Sequence, residues 1–200
     1  MMISCQSNAQ TYTIETNLGN IQIKLYDQTP LHKENFEKLV AEQFYDSVLF
    51  HRIIPGFMIQ TGNEATKPNG NTSGIDLNYT IPAEFVPEYF HKKGALATAR
   101  LGDNVNPEKR SSPTQFYIVQ GRTYTDEELD QIESQSHVKF SESQREVYKT
   151  LGGTPFLDQN YTVFGEVVKG LDVVDAIAAL PTGPRDVPEV DIRILRITKD

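Results

Sequence analysis

The stretch "FHRIIPGFMIQTGN", Phe50 to Asn63, decides the fold of this chain and poses its main chemical question. Large apolar residues dominate it, as expected for a strand that is buried in a core. His51, Arg52 and Gln60 are nevertheless set into the same run. Because an arginine is almost never fully buried unless it is paired, Arg52 needs a special surrounding.

Length and composition indicate a soluble globular protein. A chain of 200 residues is long enough for one domain with a sizeable core, so we expect a single domain over 11–200 after a disordered lead-in over 1–10. Hydrophobic residues make up 38% and charged residues 23% of the chain. The net charge of −8 argues against a general binder of nucleic acid or anionic membranes, which needs a basic surface.

Cofactor, metal and membrane sites are not expected. The four histidines are scattered without the spacing of zinc ligands, and no apolar run approaches the roughly 18 residues of a membrane-spanning helix. The N-terminus lacks the basic start and apolar stretch of a secretory signal, which favours a cytoplasmic location. The alternative is an exported lipoprotein, with Cys5 as the remnant of a signal; mass spectrometry of lipid on Cys5 would decide.

The rest of the chain reads as many short strands with a helix near each end. "TYTIETNLGNIQIKLYD" alternates branched and polar residues around a turn, which predicts a hairpin. With Thr29 as the expected N-cap and Pro30 as the first helical residue, apolar spacing predicts a helix over 30–41. "LDVVDAIAAL" predicts a second helix. This pattern favours a mainly β protein, a closed antiparallel barrel whose mouths are covered by two helices.

One region, residues 123–154, breaks the strand pattern. It is charged, poor in branched residues and helix-prone. Thr125 with Glu128, and Ser141 with Gln144, have the spacing of capping boxes. We therefore predict one or two surface helices inserted between two strands.

Three later segments follow the opening stretch along the chain, namely "GALATAR" (94–100), "SPTQFYIV" (112–119) and "FLDQNYTVFGEVVKGLDVVDAI" (156–177). Together with "FHRIIPGFMIQTGN", they resemble the cyclophilin-type peptidyl-prolyl cis-trans isomerases: the opening stretch is similar to the family signature at nearly every position, and the other three occur in the family's order. The resemblance spans residues 11 to 198 apart from the insertion. It implies an eight-stranded antiparallel barrel with two capping helices, and a cofactor-free isomerase that binds proline-containing peptides and unfolded segments and assists folding.

The resemblance also implies a role for particular residues. Arg52 would be the catalytic cation and Gln60 the side chain that orients it. The residues expected to bind the peptide are Phe57, Met58, Ala99, Arg100, Gln115, Tyr117, Phe156, Leu157 and Tyr161. Arginine suits the role because its guanidinium stays charged and presents several donors in a fixed fork, which can stabilise a twisted amide.

Several positions depart from the common family pattern. Phe156 and Tyr161 stand where many eukaryotic members have Trp and His, which resembles bacterial members and predicts weak binding of cyclosporin. Tyr117 places a hydroxyl beside the proline pocket, where it needs a partner or an outlet to water. We expect a monomer. The alternatives to an enzyme are a proline-peptide-binding module or a chaperone, either of which would use residues 123–154 to dock a partner.

Overall fold

A computed structural model describes residues 10–68, 72, 74–136 and 138–200. The predicted lead-in, including Cys5, therefore lies outside the described residues, except for Gln10. The helices and strands in the described part of the chain are β1 (Thr11–Thr16), β2 (Gly19–Leu25), α1 (Pro30–Ala41), β3 (Arg52–Ile54), β4 (Met58–Thr61), β5 (Ala95–Thr98), β6 (Phe116–Val119), α2 (Asp126–Ser136), α3 (Glu142–Thr150), β7 (Val163–Lys169), α4 (Leu171–Ala178) and β8 (Ile194–Lys199). Within these described elements, none of the helices is long and apolar enough to cross a membrane.

The strands form one antiparallel sheet in the order β3-β4-β6-β5-β7-β2-β1-β8. Over the residues that the structure describes, the outer strands β3 and β8 do not pair, so the sheet is an open half-barrel and the predicted closed barrel is wrong. The reason is the length of β3, which begins only at Arg52. Ahead of it, single hydrogen bonds cross the gap, from Phe50 N to Ile192 O (2.8 Å) and from Ile194 N to Val48 O (2.9 Å).

The predicted hairpin is formed by β1 and β2, and it shows how the core is built. Thr16 pairs with Gly19, which leaves Asn17 and Leu18 as the turn. Alternate side chains of both strands are buried, as the alternation of branched and polar residues requires. The core inside the curved sheet includes the buried residues Tyr12, Ile14, Ile21, Ile23, Phe36, Leu39, Phe44, Tyr45, Phe50, Ile53, Ile59, Leu96, Phe116, Ile118, Phe164, Val174, Ile177 and Ile194.

Helix α1 occupies the predicted range but begins differently from the expectation. Pro30 is at its first turn, yet the Thr29 side chain makes no cap hydrogen bond to the helix. The first-turn amides of Leu31 and His32 donate instead to the carboxylate of Glu84, at 3.1 and 3.0 Å. A distant acidic side chain thus satisfies amides that a local cap usually satisfies, and its charge suits the helix N-terminus.

The insertion contains two helices, as predicted, and both capping boxes are present. Thr125 N donates to Glu128 and Glu128 N donates back to the Thr125 hydroxyl, while Ser141 and Gln144 make the same reciprocal pair. The helices enclose a small core of their own, with Tyr124, Leu129, Val138, Phe140 and Tyr148 buried. The insertion is therefore packed, and it is not only a solvated surface.

Candidate active site

The β3–β4 hairpin brings Arg52 and Gln60 onto one face. They are direct partners across the two strands, followed by Ile53 with Ile59 and Ile54 with Met58. Residues directly opposite in an antiparallel pair point to the same side of the sheet. Arg52 and Gln60 therefore share a face, while Ile53 and Ile59 point into the core.

The turn of this hairpin explains how two consecutive residues reach one surface. Gly56 has a φ of 72°, a left-handed conformation that favours glycine, and Phe57 N donates to Ile54 O at 3.1 Å. Phe57 belongs to the turn, and the regular alternation of β4 starts only at Met58. The Phe57 and Met58 side chains can therefore both contribute to the same groove.

Nine of the eleven predicted site residues line a single groove of about 330 Å³, namely Arg52, Phe57, Met58, Gln60, Ala99, Arg100, Tyr117, Leu157 and Tyr161. We refer to these nine residues as the groove. Gln115 lies next to it in an adjoining cavity and accepts a hydrogen bond from the Gln60 amide at 3.1 Å. Phe156 is 45% exposed and lies beside Phe57, with ring centroids 5.7 Å apart. Segments that are far apart in sequence thus meet at one place.

Arg52 has a partner that the sequence did not reveal. Its Nε donates to Oδ2 of Asp186 at 3.1 Å, and the two side chains are 41% and 43% exposed. Asp186 and its neighbour Arg185 both have left-handed backbone angles, with φ of 61° and 64°. The guanidinium is therefore held from one side by a carboxylate and keeps its other donors towards solvent and the groove.

Arg100 is held within the protein rather than offered to solvent. Its side chain is 5% exposed, its Nε donates to Asn160 O at 2.7 Å, and it pairs with Asp103. The guanidinium carbon also lies 4.6 Å from the centre of the Tyr161 ring. Arg100 thus stiffens one wall of the groove and adds little free charge to it.

The Tyr117 hydroxyl has the partner that its position requires. It lies 2.9 Å from Nε2 of His91, whose Nδ1 lies 2.7 Å from Asp158 Oδ1. All three residues are buried. Burial is the main cause that raises the pKa of the Tyr117 phenol well above its usual value, so the hydroxyl stays protonated. The need for a partner was visible in the sequence, but the identity of His91 was not.

Comparisons with known proteins agree with this geometry. A sequence profile of the family described as cyclophilin type peptidyl-prolyl cis-trans isomerase/CLD matches residues 11–199. A peptidyl-prolyl cis-trans isomerase of Acinetobacter baylyi is 32% identical over 203 residues, covering 98% of this chain and 89% of the relative. A candidate bifunctional phosphatase and isomerase of Streptococcus pyogenes is 36% identical over 189 residues, but the chain spans only 37% of its length.

The solved structures show the same fold. A cyclophilin type isomerase of Cryptosporidium parvum superimposes with a TM-score of 0.68 at 24% identity, covering 96% of this chain and 97% of that one. The sequence match extends over almost the whole described chain, including both ends of the sheet and the groove. The chain therefore belongs to the family of cyclophilin-type peptidyl-prolyl cis-trans isomerases.

Proposed function

We propose that Arg52 performs the isomerisation of X–Pro peptide bonds in this groove by hydrogen-bonding the prolyl nitrogen of the twisted amide. The observation that carries the proposal is the position of Arg52, directly opposite Gln60 on the groove face and 41% exposed. An arginine there is partly open to solvent and also lines the groove, where it can meet a peptide.

The chemistry requires no nucleophile. Rotation of an amide is opposed by roughly 18–20 kcal/mol because the C–N bond has partial double-bond character, and X–Pro bonds exchange over tens to hundreds of seconds. In the twisted form the prolyl nitrogen becomes pyramidal and regains a lone pair. A donor that binds this lone pair favours the twisted amide over both planar forms, which lowers the barrier.

The apolar side of the groove suits a proline ring. Met58 and Tyr117 are buried, and Phe57 and Leu157 are partly buried against the same cluster. Such a wall would hold the ring while the acyl side of the bond rotates. A related solved structure was obtained in the presence of the dipeptide Ala-Pro, which supports this class of ligand for the present chain. We propose that a longer peptide runs past Ala99 and Gln115.

The test is the replacement Arg52→Ala. We expect kcat/KM in a protease-coupled assay on a proline-containing tetrapeptide to fall about 10²- to 10³-fold, as when one preorganised donor is removed from a transition state. Arg196→Ala is the matched control because Arg196 is an exposed arginine, paired with Glu15 on β1. Wild-type activity in Arg52→Ala would refute the role of Arg52.

Asp186 refines the same test. Its carboxylate is the group hydrogen-bonded to the guanidinium, whereas the Gln60 amide donates to Gln115. The family resemblance implied that Gln60 orients Arg52; we propose instead that Asp186 orients it and that Gln60 acts beside it on the peptide. Asp186→Asn keeps the shape and removes the charge, and it should reduce kcat/KM less than Arg52→Ala does. If Asp186→Asn reduced kcat/KM as much as Arg52→Ala does, Asp186 would contribute more to catalysis than the orientation of Arg52.

Weak binding of cyclosporin and a monomeric state are further proposals. Phe156 lies at the rim beside Phe57 and has no N–H to donate, so a donor that Trp would supply is missing. We expect calorimetry to give a dissociation constant above the micromolar range, and Phe156→Trp to bind at least tenfold more tightly. Submicromolar binding by the unmodified protein would contradict this.

A further inference from the structure

A buried hydrogen-bond network links the helical insertion to the groove. The Tyr148 hydroxyl donates to Asp158 Oδ2 at 2.6 Å, Asp158 Oδ1 faces His91 Nδ1 at 2.7 Å, and His91 Nε2 faces the Tyr117 hydroxyl at 2.9 Å. The exposed fractions of these residues are 0% for Tyr148 and His91, 4% for Asp158 and 5% for Tyr117. We call these four residues the buried network.

Each contact of the buried network is made by groups of the correct kind. Asp158 accepts from Tyr148, from the His91 ring and from the His91 backbone N–H, the last at 2.8 Å. A histidine whose Nδ1–H donates to a carboxylate presents Nε2 as an acceptor in its neutral form, so the Tyr117 hydroxyl can donate to it. Burial keeps the pKa of both phenols raised, so both stay donors.

The far end of the buried network is fixed by the insertion itself. Tyr148 lies on α3, its ring packs edge-on against Phe90 and Phe140 at 5.4 and 5.5 Å, and its backbone oxygen accepts from Tyr124 N at 3.1 Å. Its hydroxyl cannot move without disturbing this packing. The insertion therefore determines where Asp158 finds its second donor.

The other end of the buried network, Tyr117, forms part of the groove wall. Tyr117 is on β6, and its ring lines the groove together with Tyr161, which it meets edge-on at 6.1 Å. The ring stacks on His91 with centroids 6.1 Å apart. A buried hydroxyl that lost its acceptor would have to find another, because leaving it unpaired is costly. The orientation of the Tyr117 ring is thus coupled to His91.

We propose that Tyr148 is a positioning residue for the isomerisation and acts through Asp158 and His91 on the Tyr117 ring. The helical insertion is then part of the catalytic unit, in addition to any separate use of its surface. In a low-dielectric interior, hydrogen bonds in series polarise one another. Loss of the Tyr148 hydroxyl therefore alters the hydrogen bond between His91 and the Tyr117 hydroxyl at the other end of the buried network. This inference rests on the proposed use of Tyr117 as a wall for the proline ring.

The test compares Tyr148→Phe, Tyr117→Phe and the double variant. We expect Tyr148→Phe to lower kcat/KM three- to tenfold, and to have no further effect once Tyr117→Phe has removed the hydroxyl at the groove. Tyr124→Phe is the matched control, since it removes a phenol hydroxyl from the same small core. Tyr124 contacts Tyr148 through its backbone N–H and its ring, at 6.4 Å between ring centroids, and the substitution keeps both contacts. Wild-type activity in Tyr148→Phe would overturn the proposal.

Two further readouts separate positioning from simple destabilisation. An equal loss of kcat/KM from Tyr148→Phe in both the wild-type and the Tyr117→Phe backgrounds would also overturn it, because a purely structural effect does not depend on Tyr117. The ¹⁵N resonance of His91 Nε2 should shift in Tyr148→Phe and stay in place in Tyr124→Phe; no shift in either would contradict the coupling. The Arg52→Ala variant tests the catalytic role of Arg52 separately, so a failure of that proposal can be distinguished from a failure of the proposal for Tyr148.

Discussion

Two buried histidines are set in hydrogen-bond networks of the same design. Nδ1 of His32 lies 2.6 Å from Glu84 Oε2, and Nδ1 of His91 lies 2.7 Å from Asp158 Oδ1. In both cases the backbone N–H of the histidine donates to that same oxygen, at 3.0 and 2.8 Å. A single carboxylate thus fixes both the ring and the backbone of each histidine.

The networks differ in what Nε2 meets. Nε2 of His32 lies 2.9 Å from the hydroxyl of Ser111, which also accepts from Thr98 at 2.8 Å. Nε2 of His91 meets the hydroxyl of Tyr117, whose ring lines the groove. One unit therefore ends in the scaffold and the other ends in a wall of the site. We propose that the residue on Nε2 decides whether the network supports only stability or also catalysis.

The carboxylates also differ in their second task. The other oxygen of Glu84 accepts from Leu31 N at 3.1 Å and so caps α1, whereas the other oxygen of Asp158 accepts from Tyr148 of the insertion. Glu84 thus caps the N-terminus of α1, which packs on the sheet. Asp158 connects the scaffold to an additional segment.

Removing the carboxylates should separate the two networks most strongly. We expect Asp158→Asn to lower the free energy of unfolding by about 3 kcal/mol, since buried donors lose a charged acceptor, and to lower kcat/KM severalfold by releasing Tyr117. Glu84→Gln should cost about 2 kcal/mol and leave kcat/KM unchanged. Urea unfolding and the protease-coupled assay measure both quantities, and equal losses of activity would remove the distinction.

The terminal hydroxyls give a finer version of this comparison. Ser111→Ala should cost about 1–2 kcal/mol in unfolding free energy, because a buried ring nitrogen loses its partner, with kcat/KM within about twofold of the wild type. Tyr117→Phe should cost a similar free energy but also reduce kcat/KM. If Ser111→Ala reduces activity as much as Tyr117→Phe, the residue on Nε2 is not what distinguishes the networks.

A smaller effect concerns pH and the His32 network. Burial lowers the pKa of His32 and outweighs the opposing effect of Glu84. Below about pH 6.5, His32 takes up a proton in the unfolded chain but resists protonation in the folded protein. The free energy of unfolding should therefore decrease as the pH is lowered, by at most about 1.4 kcal/mol per pH unit from this residue. His32→Gln should flatten the urea-unfolding profile between pH 7 and 5. An unchanged profile would show that this residue is not responsible.

Much of the fold was predictable from local patterns. The β1–β2 hairpin, α1 over Pro30–Ala41 and both capping boxes of the insertion follow from alternation, helical spacing and polar residues three positions apart. The convergence of Arg52 and Gln60 followed from family resemblance and is explained by their register. These features depend on neighbours in sequence or on a single hairpin, which is why they can be read from the chain.

The remaining features depend on residues that meet only after folding. Asp186 is 134 residues from Arg52, and Asp158 is 67 residues from His91. No local pattern marks these carboxylates as partners, and Glu84 caps α1 from a loop rather than from the helix start. The open edge between β3 and β8 likewise depends on how far two separate strands extend. Hydrophobic periodicity reports which face of a helix or strand is buried, but it does not report which distant residues come into contact.

The position of Arg52 at the rim of the sheet has a consequence for motion. β3 has three residues and, in the described sheet, one ladder partner, whereas β6 lies between β4 and β5. Local opening is easiest where few hydrogen bonds hold a strand. Arg52 therefore lies on a short edge strand, which we expect to open locally more easily than the interior strand that carries Tyr117. During rotation about an X–Pro bond, we therefore expect the side of the groove that carries Arg52 to move more than the wall formed by Tyr117.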